Sequence, residues 1–222
     1  MKQGILLKTG LLDYQKAWDL QRRLHQARAA DEIVDTLVLT EHPHTYTIGK
    51  AGGEQNLTTD ETVLTGQGIA IYRIDRGGNI TYHGPGQIVG YPILDLHYHY
   101  LDVHRFLRDL EEVIIHMLSE YGIMAGRIKG MTGVWVNGAK VAAIGVKVSR
   151  WVTMHGFALN VNTDLSYFDN IVPCGISDKP VTSMQKLLSE KVDISEVQER
   201  ICKEFSRIFE VELRLCNPED IF

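Results

Sequence analysis

Three apolar stretches, 132–136, 140–149 and 151–161, follow one another almost without interruption, and Asn137-Gly138 joins the first two. That dipeptide is the strongest short hairpin signal, because both central residues of the tight turn need positive φ. Adjacent strands joined this way argue for antiparallel pairing and against a doubly wound parallel sheet, where helices alternate with strands. Further strand-like stretches fall at 4–8, 36–40, 45–48, 69–74 and 211–215, and inside 76–91.

Helices are expected where apolar residues recur at three and four. Tyr14, Ala17, Trp18, Gln21 and Leu24 mark a helix over 12–29. Val103, Phe106, Leu107, Leu110, Val113, Ile114, Met117 and Leu118 mark a longer one, with Asp102 as N-cap and Gly122 as its stop. A short helix is expected over 182–188, and an amphipathic one after the Asp193/Glu196 capping pair. Segments 50–68 and 162–179 read as loop. The fold class is therefore α+β: a mixed, largely antiparallel sheet flanked by helices, in one domain over residues 1–222.

Composition narrows the function. At 222 residues with 44% hydrophobic and 23% charged residues, the chain has the composition of an ordinary globular protein. A formal net charge of −5 argues against bulk nucleic-acid or membrane binding. No apolar run reaches membrane-spanning length, and the first residues lack a signal peptide's pattern. Cys174, Cys202 and Cys216 fit neither a disulfide framework nor a zinc site, so a reducing, cytoplasmic setting is expected, with no metal or cofactor.

The most distinctive stretch is Arg76-Gly77-Gly78-Asn79-Ile80-Thr81-Tyr82-His83-Gly84-Pro85-Gly86-Gln87 and its continuation to Tyr91. Its glycines let a ligand approach the main chain, yet a Gly-rich hairpin between core strands has the same look. Cys174 stands between Pro173 and Gly175, where a thiol can serve as nucleophile or as a small buried hydrophobe. Cys202 and Cys216 read as structural. Lys140 opens an apolar strand, where it can snorkel to solvent or stand partly desolvated beside an acyl group. His155-Gly156 repeats the His-Gly pattern of His83-Gly84, so His155 is an additional pocket candidate.

Together these residues resemble the lipoyl(octanoyl) transferases of the biotin and lipoate ligase superfamily. The family signature R-G-G-x-x-T-(aromatic)-H-x-x-G-Q-x-(aliphatic)-x-Y is matched from Arg76 to Tyr91. The similarity continues through Gly133-Val134-Trp135, Lys140 to Val146, His155 to Val161 and Pro173-Cys174-Gly175, covering about residues 35–190. It implies the catalytic-domain fold of biotin and lipoate ligases, with Cys174 as acyl-thioester nucleophile and Lys140 as its cation and acid/base. Arg76, Gly77, Gly78, Asn79, Ile80, Thr81, Tyr82 and His83 would wall the acyl pocket, with Ala143, Ile144 and Gly145 and with Gly156, Phe157 and Ala158. The implied donor is octanoyl-acyl carrier protein. The implied acceptors are lipoyl domains of 2-oxoacid dehydrogenase E2 subunits and the glycine cleavage H protein. A monomer working without ATP is expected, with Arg127, Lys129, Lys147, Arg150 and Lys179 as candidates to dock the carrier protein. An ATP-dependent ligase, a Cys-His thioesterase using His83 or His155, and a noncovalent acyl-binding module are the competing readings.

Overall fold

The computed structural model describes residues 1–52, 56–172 and 179–221. β1 (Lys2–Leu11) leads into α1 (Tyr14–Ala29), which starts where the Asp13 carboxylate accepts from the Lys16 N–H. β2 (Thr36–Glu41) and β3 (Thr45–Ile48) follow. α2 (Glu61–Gly66) occupies part of the stretch expected to be loop; Asp60 caps it, and it buries Leu64 alone, so it has no apolar stripe to read. Then come β4 (Ala70–Arg73), β5 (Ile80–His83), β6 (Gln87–Ile93) and α3 (Val103–Ser119), the last capped by Asp102. β7 (Gly126–Ile128), β8 (Met131–Val136), β9 (Ala139–Ser149) and β10 (Val152–Asn160) form consecutive antiparallel pairs. The chain continues through α4 (Met184–Leu188) and α5 (Ile194–Phe209) to β11 (Val211–Cys216).

The main sheet has the order β11-β1-β2-β6-β10-β9-β8-β7. β1 is parallel to both β11 and β2, while every pair from β2 to β7 is antiparallel. The sheet is therefore mixed and largely antiparallel, with helices on both faces. Phe106, Leu110, Ile114 and Met117 of α3 and Ile201 and Phe205 of α5 pack with Leu39, Ile88, Phe157 and Leu159 on one face. Ala17 and Leu24 of α1 pack with Val38, Val89, Met154 and Ala158 on the other. Full burial of each large apolar side chain contributes roughly 1.5–3 kcal/mol. A second sheet, β4-β3-β5, has its own core of Tyr46, Ile80 and Tyr82 with Phe168 from a 3-10 turn.

Both hairpin turns beside the site have two residues at positive φ. Asn137 (φ 50°) and Gly138 (φ 81°) join β8 to β9, and Arg150 (φ 52°) and Trp151 (φ 62°) join β9 to β10. β10 has a further break at His155 (φ 59°). The β10–β6 register sets Pro92 opposite His155, and proline has no N–H to offer the ladder. The His155 N–H goes instead to Gln21 Oε1 of α1 at 2.9 Å. Met154 packs beneath α1, and the His155 ring lies 6.5 Å from Trp18 of the same helix, so the strict side-to-side alternation of β10 fails here.

Candidate active site

Two rungs of the β9–β10 ladder, on either side of the Ile144/Phe157 rung, carry almost no side-chain volume: Ala143 faces Ala158, and Gly145 faces Gly156. The missing volume opens a cavity of about 430 Å³. Gly77 and Gly78 and the start of β5 close it from the second sheet, and Tyr14 of α1 and Leu107 of α3 reach its wall. Close approach explains the glycines. A Cβ on Gly145 would stand 2.9 Å from the Gly77 carbonyl oxygen, and one on Gly156 would stand 2.1 Å from the Gly90 carbonyl oxygen.

The cavity has two chemically different ends. Lys140 and Asn160 lie at one, and Gly145, Arg76 and His155 at the other. Gly145 lies five residue steps along the strand from Lys140, which spans about 17 Å at ~3.3 Å per residue. Lys140 is nine-tenths buried. Its N–H donates to the Pro180 carbonyl at 2.9 Å, its carbonyl accepts from the Thr182 N–H at 2.9 Å, and its Nζ lies 4.7 Å from the centre of the Trp135 ring. The described chain leaves at Val172 and returns at Lys179, next to that Pro180. Cys174, with Pro173 and Gly175, lies outside the described residues.

At the other end, Arg76 is buried and donates through Nη2 to the carbonyl and hydroxyl oxygens of Thr47, at 2.7 and 2.9 Å, and through Nη1 to the Gly77 carbonyl at 3.0 Å. His155 Nε2 lies 2.9 Å from Asp75 Oδ1, and Lys147 Nζ lies 2.5 Å from Asp75 Oδ2. Burial raises the Asp75 carboxyl, but its bonds to Lys147 and His155 outweigh that and bring it down to about 2. Burial lowers His155 to about 4, which leaves it neutral at pH 7, so Nε2–H donates to Asp75. Burial also holds His83 well below the ordinary histidine range.

Of the residues expected to wall the pocket, Arg76 to Thr81, His83, Ala143 to Gly145 and Gly156 to Ala158 line the cavity, as does His155. Tyr82 does not. Strand alternation turns it into the core of the small sheet, where its hydroxyl lies 2.7 Å from His44 Nδ1. Tyr14, Gln87 and Asn160 line the cavity without having been singled out as site residues. Gln87 was legible within the signature; Tyr14 carried only a helix-face signal, and Asn160 looked like the polar end of a strand. Of the proposed docking cations, Arg127 is engaged by Glu111 and Glu112, and Lys147 by Asp75. Lys129 and Arg150 are exposed, and Lys179 is half-buried. Burial pushes the Cys202 thiol up to about 11, consistent with a structural residue. Among the described residues no cluster of His, Cys, Asp or Glu is placed to hold a metal ion, and no helix is long and apolar enough to cross a membrane.

Residues 13–206 match the family model of the lipoyl protein ligase A/B catalytic domain. The octanoyltransferase of Christiangramia forsetii is 48% identical over 222 residues, covering 92% of this chain and 95% of that protein. A putative lipoate protein ligase from T. acidophilum with bound lipoic acid superimposes with a TM-score of 0.76 over 99% of this chain and 92% of that one, at 16% identity. Biotin protein ligase from Aquifex aeolicus in complex with biotin and ATP gives 0.57 over 95% of this chain and 71% of that one, also at 16% identity. These two structures establish a shared fold, and the sequence relationship is the more specific. The chain belongs to the octanoyltransferases of the lipoyl protein ligase A/B catalytic-domain family.

Proposed function

We propose that this octanoyltransferase moves the octanoyl group of an acyl carrier protein to a lysine of lipoyl domains through a thioester on Cys174, as one catalytic domain. The observation that carries the reading is the cavity itself, an apolar slot made by the Ala143/Ala158 and Gly145/Gly156 rungs with a buried lysine at one end. The Cys174 thiolate attacks the donor thioester carbonyl. The donor's C–S bond breaks, the carrier leaves as a thiolate and takes from Lys140 the proton that Cys174 gave up on ionising, and the acyl group stays on the Cys174 sulfur. Exchange of one thioester for another is nearly neutral, so no ATP is needed. The acceptor lysine, as a neutral amine, then attacks the Cys174 thioester. An amide forms, the C–S bond breaks, and the surplus amine proton goes to the departing thiolate. Lys140 serves as the cation beside the sulfur and as the group that relays this proton.

The acceptors are the lipoyl domains of 2-oxoacid dehydrogenase E2 subunits and the glycine cleavage H protein. Lys129, Arg150 and Lys179 are the cations available to meet an acidic carrier protein. A reduced thiol nucleophile fits a cytoplasmic setting. The histidines fit a hydrolase poorly. Both nitrogens of His83 are occupied, by Gln87 and Thr47, and His155 lies at the end of the cavity away from Lys140.

The test is intact-protein mass spectrometry of the enzyme mixed with octanoyl carrier protein, without ATP. The expected result is an octanoyl adduct on the enzyme that is lost on adding apo lipoyl domain and is not formed as a thioester by Cys174→Ser. Release of free octanoate without acylated lipoyl domain, or dependence on ATP, overturns the proposal.

A further inference from the structure

A single line of hydrogen bonds runs through buried side chains from Arg76 to the backbone that brackets Lys140. Asn160 Nδ2 donates to the Thr182 carbonyl at 3.1 Å. Gln87 Nε2 donates to Asn160 Oδ1 at 2.9 Å and to the Tyr82 carbonyl at 3.0 Å, which turns Gln87 Oε1 toward His83 Nδ1 at 2.8 Å. An amide oxygen only accepts, so His83 carries its proton on Nδ1 and presents a bare Nε2. The Thr47 hydroxyl, 3.3 Å from that nitrogen, donates to it while accepting from Arg76 Nη2 at 2.9 Å. The chain thus has one consistent polarity, from the guanidinium to the Thr182 carbonyl. Thr47, His83, Gln87, Asn160 and Thr182 are all buried.

The last link matters for catalysis. Residues 180–182 form a short parallel bridge with Lys140, taking its N–H on Pro180 and giving the Thr182 N–H to its carbonyl. Thr182 therefore faces Lys140 through its N–H and Asn160 through its carbonyl. The peptide that clamps the lysine backbone is itself bonded by the Asn160 side chain, which is reached through Gln87 and His83.

We propose that Asn160 is a positioning residue for Lys140, holding the 180–182 segment so that the lysine sits at the reacting end of the cavity; this rests on the Cys174/Lys140 reading above. Without the Asn160 side chain, the Gln87 donor and the Thr182 carbonyl both lose a partner inside the protein, and buried polar groups left unpaired are costly.

The experiment is single-turnover formation of the octanoyl-enzyme from octanoyl carrier protein by wild type, Asn160→Ala and Asn160→Asp, corrected for the folded fraction. Asn160→Ala is expected to lower the rate of acyl-enzyme formation by about tenfold or more at saturating carrier protein while KM for the carrier stays unchanged. Asn160→Asp keeps the acceptor for Gln87 and can donate to Thr182 only when its carboxyl is protonated. Its rate relative to wild type is expected to recover as the pH falls, a pH profile that a purely structural role would not produce. Folded Asn160→Ala with wild-type rate, or an Asn160→Asp profile parallel to wild type, overturns the proposal. If neither variant folds, amide exchange in the wild-type enzyme decides. Protection of the Lys140 and Thr182 N–H groups matching that of Ala142 supports the clamp, and exchange as fast as an exposed loop overturns it. A wild-type enzyme that forms no adduct overturns the function itself and leaves the exchange result to judge the clamp.

Discussion

Lys140 Nζ stands 4.7 Å from the centre of the Trp135 ring, and the two residues face each other across the β8–β9 pair. Gly133 lies alongside the lysine stem. A Cβ there would lie 3.5 Å from Lys140 Cε and 2.7 Å from the Ala142 carbonyl oxygen, so the lysine stem runs across bare backbone. A cation over an indole face gains about 0.5–2 kcal/mol when partly desolvated. Trp135→Leu removes the aromatic face and is expected to slow acyl-enzyme formation about threefold to thirtyfold, whereas Trp135→Phe retains a weaker face and loses less. Rapid-quench kinetics on folded protein checks this; equal losses in both variants would show that volume matters and the ring face does not.

The two roles given to Lys140 separate by substitution. Arginine keeps a permanent charge, and alanine keeps none. Lys140→Ala is expected to lose both half-reactions. Lys140→Arg is expected to retain part of the first, because a cation still faces the sulfur, and to fail in the second, because a guanidinium cannot relay a proton. Separate measurement of adduct formation and of octanoyl transfer to apo lipoyl domain checks the split. A Lys140→Arg enzyme as fast as wild type in the second step would remove the proton-relay role.

Gly156 is the least substitutable rung of the cavity wall. A methyl group there would meet the Gly90 carbonyl oxygen at 2.1 Å and Pro92 Cδ at 2.6 Å, and the oxygen belongs to backbone that cannot swing aside. Gly156→Ala is expected to destabilise the fold by about 1–3 kcal/mol through overpacking. Thermal denaturation would show a Tm lower by several degrees. An unchanged Tm would mean that β6 and β10 can separate here at no cost.

Acid should weaken the fold through histidines buried as neutral rings. His42 Nδ1–H donates to the Leu12 carbonyl at 2.6 Å, and the Tyr91 hydroxyl donates to Nε2 at 2.7 Å, so both nitrogens of the neutral ring are satisfied in the buried site. Burial brings both His42 and His155 from 6.5 to about 4. Between those values the unfolded chain binds protons that the folded one refuses. Stability is therefore full above about 6.5 and falls as the pH drops toward 4, by roughly 3 kcal/mol for each histidine. Urea unfolding from about pH 7.5 down to about pH 4.5 checks the slope, and His42→Gln is expected to flatten it. Equal slopes in that variant and wild type would remove His42 from the account.

What could be read in the chain divides by distance along it. Asn137-Gly138 announced its hairpin, and Asp102 with the apolar stripe of α3 announced that helix, because cap, turn and face are local matters. The parallel placement of β1 between β11 and β2 is set by packing among strands far apart in sequence. The site divides the same way. Arg76, His83 and Lys140 stood out within their own segments, whereas Thr47 and Asn160 look like ordinary strand residues until the fold brings them onto one line with Gln87. Tyr82 shows the reverse: contiguous with pocket residues, it turns away because a strand shows alternate faces.

The Arg150-Trp151 turn marks a place where the chain accepts strain that a different residue would relieve. Both residues sit at positive φ, the geometry of a tight hairpin turn, and neither is glycine or asparagine. A left-handed conformation costs an ordinary residue about 1–2 kcal/mol, and asparagine tolerates it better because its side chain bonds locally. Trp151 is held by other contacts: its carbonyl accepts from the Leu96 N–H at 2.8 Å, and its ring packs edge-on to His97. Arg150 is exposed. Arg150→Asn is therefore expected to stabilise the enzyme by about 0.5–1 kcal/mol, visible as a higher urea midpoint at unchanged slope. Because Arg150 is also one of the cations offered to the carrier protein, the same variant should raise KM for octanoyl carrier protein while the rate at saturation stays the same. A stabilised variant with unchanged KM would keep the turn argument and remove Arg150 from the docking surface.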